Sequence, residues 1–350
     1  MLSEQQIVDA LRPIQEPSLH KSLVEVGAIK EIKINGSYVS LKVALSNLGT
    51  PEQVGVQNQI IQAVKAAGAE TVGLRFAELT SENQQQGSPA KGTGDALLSK
   101  DSKTVFIAVT SGKGGVGKST VTVNLATALA RQGKRVGVID ADIYGFSVPD
   151  MMGIDSRPQV VGEVIYPVER KGVKVMSMGF FVEDNAPVIW RGPMLGKMLR
   201  NFFSEVHWGE LDYMILDLPP GTGDVALDVH QMLPESKEII VTTPHSTAAF
   251  VAARAGSMAL KTNHEILGVV ENMSYYQLPD GTKDCIFGQG GGEKLADVLD
   301  TELIAQIPLG QPVKEQDETA TALYTEGTLI GDIYSQLAKK VMQKVVIPSS

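Results

Sequence analysis

Two kinds of apolar spacing divide the chain. Up to about residue 79 the pattern is mixed. Ile7–Ile14 (IVDALRPI) has helical spacing, and Gln53–Ala67 reads as a second helix after Pro51. Between them, Ala28–Ile34 and Tyr38–Leu45 alternate apolar and polar residues around Asn35-Gly36. That dipeptide tolerates positive φ and predicts a hairpin. Thr71–Leu79 reads as a further strand. The order α-β-β-α-β predicts a small α+β domain over residues 1–79.

Residues 80–103 (TSENQQQGSPAKGTGDALLSKDSK) carry no apolar period and no aromatic residue. This composition predicts a flexible linker. From residue 104 to 350 the pattern changes to short apolar runs alternating with helical stretches. The runs are Thr104–Thr110, Arg135–Asp140, Val173–Met178, Tyr213–Asp217, Glu238–Thr243, Leu267–Asn272 and Leu303–Ile307. Strands buried on both faces and separated by helices predict an α/β fold, a mostly parallel sheet covered by helices. Ligands of such sheets sit beyond the carboxyl ends of the strands.

The strongest chemical signal lies at one of those ends. Strand Val105–Val109 leads into Gly112-Lys-Gly-Gly-Val-Gly-Lys-Ser119 and then into a helical stretch. This is the phosphate-loop pattern in its strand–loop–helix setting, and it predicts a nucleoside triphosphate site with magnesium. Glycines let backbone N–H groups approach phosphates, and the helix N-terminus adds partial positive charge. The candidate nucleotide-binding residues are Gly112, Lys113, Gly114, Gly115, Val116, Gly117, Lys118, Ser119 and Thr120. Lys118 is expected to reach the β- and γ-phosphates, and the Ser119 hydroxyl to ligate magnesium. Lys113 is a second cation that a plain phosphate loop does not need. It is either a solvated loop lysine or a cation aimed at phosphate across a dimer interface, in the manner of an arginine finger.

Two further strand ends are acidic: Asp140-Ala-Asp142 and Asp217, the latter followed by Leu-Pro-Pro-Gly-Thr-Gly-Asp224. Magnesium takes hard oxygen ligands and keeps several waters. Asp217 fits as the partner of Ser119. Asp140 and Asp142 alternate, so both could face one cleft, one holding magnesium through water and the other positioning the attacking water. Gly221-Thr-Gly223 suggests a switch that senses the γ-phosphate. The chain contains no Asn-Lys-x-Asp guanine motif, which favours ATP over GTP.

Composition changes this picture little. A net charge of −9 argues against a mainly electrostatic nucleic-acid binder. No apolar run is long enough to span a membrane, and the first residues lack a signal-peptide pattern. The C-terminal segment Asp332–Val346 is amphipathic and predicts a packed helix with a solvated face rather than a membrane-surface anchor. The single cysteine, Cys285, excludes an internal disulfide and fits a cytoplasmic protein.

Six ordered motifs together resemble the Mrp/ApbC family of P-loop ATPases, within the MinD and nitrogenase-iron-protein group. They are KGGVGKS, DADIYG, WRGPM at Trp190–Met194, DLPPGTGD, ENMSY at Glu271–Tyr275 and FGQGGG at Phe287–Gly292. The N-terminal unit resembles a domain of iron–sulfur assembly proteins. The resemblance implies a dimeric ATPase that carries or assembles iron–sulfur clusters, and the doubled lysine predicts slow turnover, because a dimer-dependent site assembles fully only with its partner. The resemblance also implies that Lys113 is the signature lysine of a homodimer, that Asp142 orients water and that Asn272 reads adenine. Many members carry a Cys-x-x-Cys pair between the last two motifs, so that two subunits supply four thiolates. Here only Cys285 stands there, and it is either a cluster ligand or an inert small residue. This cysteine-poor pattern is similar to the SalA-type members and opens an alternative: an ATP-gated regulator that binds DNA or a protein partner without a cluster. Phe146 is a second departure, standing where the family pattern has proline.

Overall fold

The computed structural model describes residues 4–17, 21–26, 28–35, 38–45, 51–69, 71–78, 97–98, 102–142, 145–161, 164–181, 192–312 and 320–345. Most of the expected linker, the Gly36 hairpin turn, Trp190 and Arg191 of the WRGPM motif, and Ile143 and Tyr144 of the DADIYG motif lie outside the described residues. By compactness the chain divides into Met1–Ala90 with Val160–Val164, and Lys91–Gln159 with Ile165–Ser350.

In the first unit, helix α1 is Glu4–Leu11 and a short pair, β1 (Gln15–Glu16) and β2 (Lys21–Ser22), follows. Strands β3 (Ile29–Asn35) and β4 (Tyr38–Leu45) pair antiparallel, with Asn35 opposite Tyr38, as the Asn-Gly signal predicts. Helix α2 (Pro51–Ala66) then returns the chain so that β5 (Thr71–Glu78) lies parallel to β4. Val39, Leu41 and Val43 alternate along β4 into a core with Ile7, Leu11, Ile60 and Val64 from the two helices. Period-2 burial on a strand facing period-3.6 burial on helices is what makes this small unit close on itself.

The second unit is a helix-covered sheet. Its strands are β6 (Val105–Ser111), β7 (Val136–Asp140), β10 (Val168–Arg170), β11 (Val173–Ser177), β12 (Tyr213–Asp217), β13 (Lys237–Thr242), β14 (Glu265–Asn272) and β17 (Leu303–Ile307). They lie in the order β10-β11-β7-β12-β6-β13-β14-β17. Every pairing is parallel except β10–β11 at the edge. Two short pairs stand outside this sheet: β8 (Gln159–Val161) with β9 (Val164–Tyr166), and β15 (Tyr276–Gln277) with β16 (Lys283–Asp284).

The intervening helices are α3 (Lys118–Arg131), α4 (Val148–Met152), α5 (Gly192–Ser204), α6 (Asp224–Met232), α7 (Ser246–Lys261), α8 (Gly291–Val298) and α9 (Leu329–Lys344). Alternation along β6 decides which face each helix covers. Ile107 and Val109 pack with Val121 and Leu125 of α3 and with Tyr334 and Leu337 of α9. Ala108, between them, packs on the other side with Phe202 and Phe203 of α5 and Val229 of α6. The connection from β6 leads to β7 on one side, while β13 lies against β6 on the other. The sheet therefore reverses its winding at β6, where a crevice opens beyond the strand ends.

Candidate functional site

The loop Gly112–Gly117 leaves β6 at this reversal and enters α3 at Lys118. Gly117 caps the helix with φ of +82°, a left-handed conformation that a side chain would strain. A Cβ at this position would also lie 2.1 Å from Nδ2 of Asn272. Asn272, at the end of β14, is buried and donates to the Val116 carbonyl at 2.9 Å. The glycine thus serves both the turn and the close approach of the next strand end.

Strand register brings the acidic residues together. Asp217 of β12 stands opposite both Asp140 of β7 and Val109 of β6, and Ser177 of β11 stands opposite Asp140. Asp217 is fully buried and accepts three hydrogen bonds. They come from the Lys118 ammonium at 2.8 Å, the Ser119 hydroxyl at 2.5 Å and the Thr122 hydroxyl at 2.9 Å. Thr122 lies one turn beyond Lys118 on α3, so the helical period aims it at the same carboxylate. Asp142 is also buried and pairs with Lys118 at 3.4 Å.

Asp140 occupies a different set of contacts. It accepts from the Ser177 hydroxyl at 2.9 Å, from the backbone N–H of Asp142 at 3.2 Å and from that of Val148 at 3.3 Å, the first residue of α4. Its carboxyl pKa is raised to about 7, first by burial and then by the charge of Asp217. Burial works to lower the Lys118 pKa, but Asp217, Asp142 and Asp140 outweigh it and hold the ammonium above the usual lysine value. Lys118 is thus a firmly charged cation among three carboxylates.

The remaining candidates lie further out. Lys113 is exposed, and its ammonium makes no hydrogen bond or ion pair among the described residues. Phe146 lays its ring against Gly179, where a Cβ would come within 2.7 Å of the ring. Cys285 is half-buried and follows the β15–β16 hairpin, beside the exposed Ile286 and Phe287. Among the described residues, no group of three or more His, Cys, Asp or Glu side chains converges to hold a metal. The hard-oxygen pair Ser119 and Asp217 nonetheless fits magnesium, which takes few protein ligands and completes its shell with water and phosphate. No helix among the described residues is long and apolar enough to cross a membrane. The sequence pattern did not single out Thr122 or Ser177, and it marked Glu271 only as the first residue of the ENMSY motif. Of the first two, Thr122 alone had a local signal, its spacing from Lys118.

A strand that runs into a glycine-rich turn at the reversal of a parallel sheet is the arrangement of a P-loop NTPase. Its lysine and following hydroxyl are held on the carboxylate that ends the neighbouring strand. More narrowly, the chain belongs to the family of NUBPL iron-transfer P-loop NTPases, whose profile matches residues 102–343. An iron–sulfur cluster assembly protein family matches residues 4–73.

The chain is 59% identical to an iron–sulfur cluster carrier protein of Bacillus subtilis over 350 residues, 99% of each chain. It is 37% identical to a nucleotide-binding protein of Archaeoglobus fulgidus solved with ADP, with a TM-score of 0.52. That match covers 70% of this chain and 93% of the other. The cell division ATPase MinD of Pyrococcus furiosus shares the fold at 23% identity, with a TM-score of 0.50 over 69% of this chain and 99% of its own. The relative named as a carrier does not favour the alternative of a cluster-free regulator.

Proposed function

We propose that this protein binds ATP with magnesium, hydrolyses it slowly as a homodimer in the cytoplasm, and carries iron–sulfur clusters as its cargo. The observation that carries the nucleotide part is the Lys118–Ser119–Asp217 constellation at the mouth of β6. Lys118 exchanges its carboxylate partners for the β- and γ-phosphates. Ser119 and Asp217 would hold magnesium, with Asp140 acting through water, and the bound ion would supply positive charge against the phosphates. Loop N–H groups from Gly112 to Thr120 bind the phosphate oxygens. Asp142, beside the Lys118 ammonium, positions the attacking water. Lys113, exposed at the loop tip, reaches the nucleotide of the partner subunit. Asn272 meets adenine with the amide hydrogen and oxygen not used on Val116.

The proposed division of labour follows the chain: residues 1–79 as an assembly-type domain, 80–103 as a linker and 104–350 as the ATPase. The cargo part is supported by the carrier relative at 59% identity and by the assembly-type match at residues 4–73. A dimer offers two Cys285 thiolates, so the proposed cargo site takes its other ligands from a small thiol or from the client protein.

Anaerobic reconstitution with iron, sulfide and glutathione tests this reading. The expected result is one cluster per dimer by absorbance and iron content, lost in Cys285→Ser. A stoichiometric cluster that survives Cys285→Ser removes that residue from the site. No cluster in the wild type, with ATP still bound, returns the chain to the regulator class. In the same preparation Asp142→Ala is expected to keep ATP binding and lose turnover.

A further inference from the structure

Glu271 and Asn272 are consecutive buried residues at the end of β14, and successive residues of a strand point to opposite sides. Asn272 faces the phosphate loop and holds the Val116 carbonyl at 2.9 Å. That carbonyl belongs to the same planar peptide as the Gly117 N–H, so the two point in opposite directions. Asn272 therefore fixes the orientation of a peptide whose N–H belongs to the loop that cradles phosphate.

Glu271 faces the other way. It accepts from the Ser274 hydroxyl at 2.6 Å, the backbone N–H of Gly292 at 2.6 Å and the Gln306 amide at 3.1 Å. Gly292 has no room for a side chain here, since a Cβ would lie 2.8 Å from Glu271 Cβ. Ser274 and Gly292 bracket the segment that carries Cys285. It comprises the β15–β16 hairpin and a turn closed by the Gly288 N–H on the Cys285 carbonyl at 2.9 Å. Between the two arms stands Met273, with φ of +55°, a strained conformation for a residue with a side chain. Its Cε lies 3.7 Å from the point where a Cβ on Gly117 would sit.

Both ends of the cysteine segment thus hang on one buried carboxylate, and its neighbour on the same strand holds the phosphate loop. We propose that Glu271 is a positioning residue that couples occupancy of the phosphate loop to the exposure of Cys285. Nucleotide phosphates re-aim the Val116–Gly117 peptide, and Asn272 and the Met273 turn follow it. Glu271 transmits the shift to Ser274 and Gly292 together. The coupling sets when a cargo held at Cys285 is accessible. It rests on the proposed nucleotide binding, and it stands whether or not a cluster is bound.

Cys285 is the only cysteine, so thiol labelling of the full-length protein reads this one segment. Labelling rates with a thiol-reactive chromophore are measured in the cluster-free protein under anaerobic conditions. The states compared are no nucleotide, Mg-ADP and a magnesium complex of a non-hydrolysable ATP analogue, and nucleotide affinity is measured in parallel by fluorescence. In the wild type, nucleotide is expected to change the rate about threefold or more. Glu271→Gln keeps nucleotide affinity within about twofold and loses most of the rate change. Ser274→Ala, a milder change that removes one bracket, gives an intermediate effect and serves if Glu271→Gln does not fold. Wild-type protein that binds no nucleotide overturns both readings. Nucleotide binding with an unchanged Cys285 rate overturns the coupling alone. So does a rate change that persists in full in both variants.

Discussion

The Lys118 ammonium sits within 3.4 Å of two buried carboxylates and close enough to a third to influence its own proton affinity. Lys118→Met keeps most of the side-chain volume and removes only the charge. What remains is Asp217 at 0%, Asp140 at 0% and Asp142 at 8% exposure, without the Lys118 charge. Removing one partner of a buried pair costs about 3–5 kcal/mol, because the other charge is left uncompensated. We expect a loss of that size at pH 8 in the absence of nucleotide.

The loss must also depend on pH. Without the cation, the folded state takes up protons that the unfolded chain does not hold. Stability of the variant therefore rises as pH falls, and its gap to the wild type narrows by about 1.4 kcal/mol per pH unit for each extra proton. Trp208 is buried in the second unit, and the first unit contains no tryptophan, so tryptophan fluorescence in urea reads the domain concerned. Asp217→Asn in the same background should return about 2 kcal/mol as coupling. A loss below about 1 kcal/mol at pH 8, or a gap that is constant from pH 5.5 to 8, would refute the claim that these carboxylates are neutralised by Lys118 in the free protein.

Two other outcomes follow from the same geometry. Asp140, with its pKa raised to about 7 from 3.8, contributes stability at acid pH that is lost as pH rises through about 7. The difference between wild type and Asp140→Asn should therefore shift by up to about 1.4 kcal/mol per pH unit between pH 5 and 7, and parallel urea midpoints for the two proteins would contradict this. Gly117→Ala meets Asn272 and a left-handed backbone at once, so Mg-ADP affinity by calorimetry should fall at least about tenfold, or 1.4 kcal/mol. Asn272→Ala removes the clash but also the proposed adenine contact, so the double variant is expected to lose less affinity than the two single losses added together, with a backbone strain of about 1–2 kcal/mol remaining.

The phosphate loop was legible because its chemistry is local: glycines, lysine and hydroxyl follow one another between a strand and a helix. The parallel sheet was legible from apolar runs whose ends fall within a residue or two of those observed. Contacts that depend on strand order were not. Nothing near Asp140 in sequence indicates that Ser177 lies beside it, because that requires β11 to pair with β7 in a particular register. Glu271, marked only by the ENMSY motif, reads as one more residue of an apolar strand until Gly292 and Gln306 are brought to it from further along the chain. The short strands β8, β9, β15 and β16 have two or three residues each, too few for a period to register. Asp140 illustrates a further limit. Alternation with Asp142 puts both residues near Lys118, but only the fold reveals that Asp140 also holds the first residue of α4.

The three carboxylates around Lys118 also bear on the order in which ligands arrive. Lys118 brings one ammonium to the carboxylates of Asp140, Asp142 and Asp217, so these four side chains taken together are net negative, only partly relieved by the raised proton affinity of Asp140. A bare polyphosphate approaching them is repelled before its oxygens reach the loop N–H groups. A polyphosphate already carrying its divalent cation presents a positive centre to the same carboxylates. On that count the metal complex is the species expected to enter, and chelating the metal should slow association before it affects any later step.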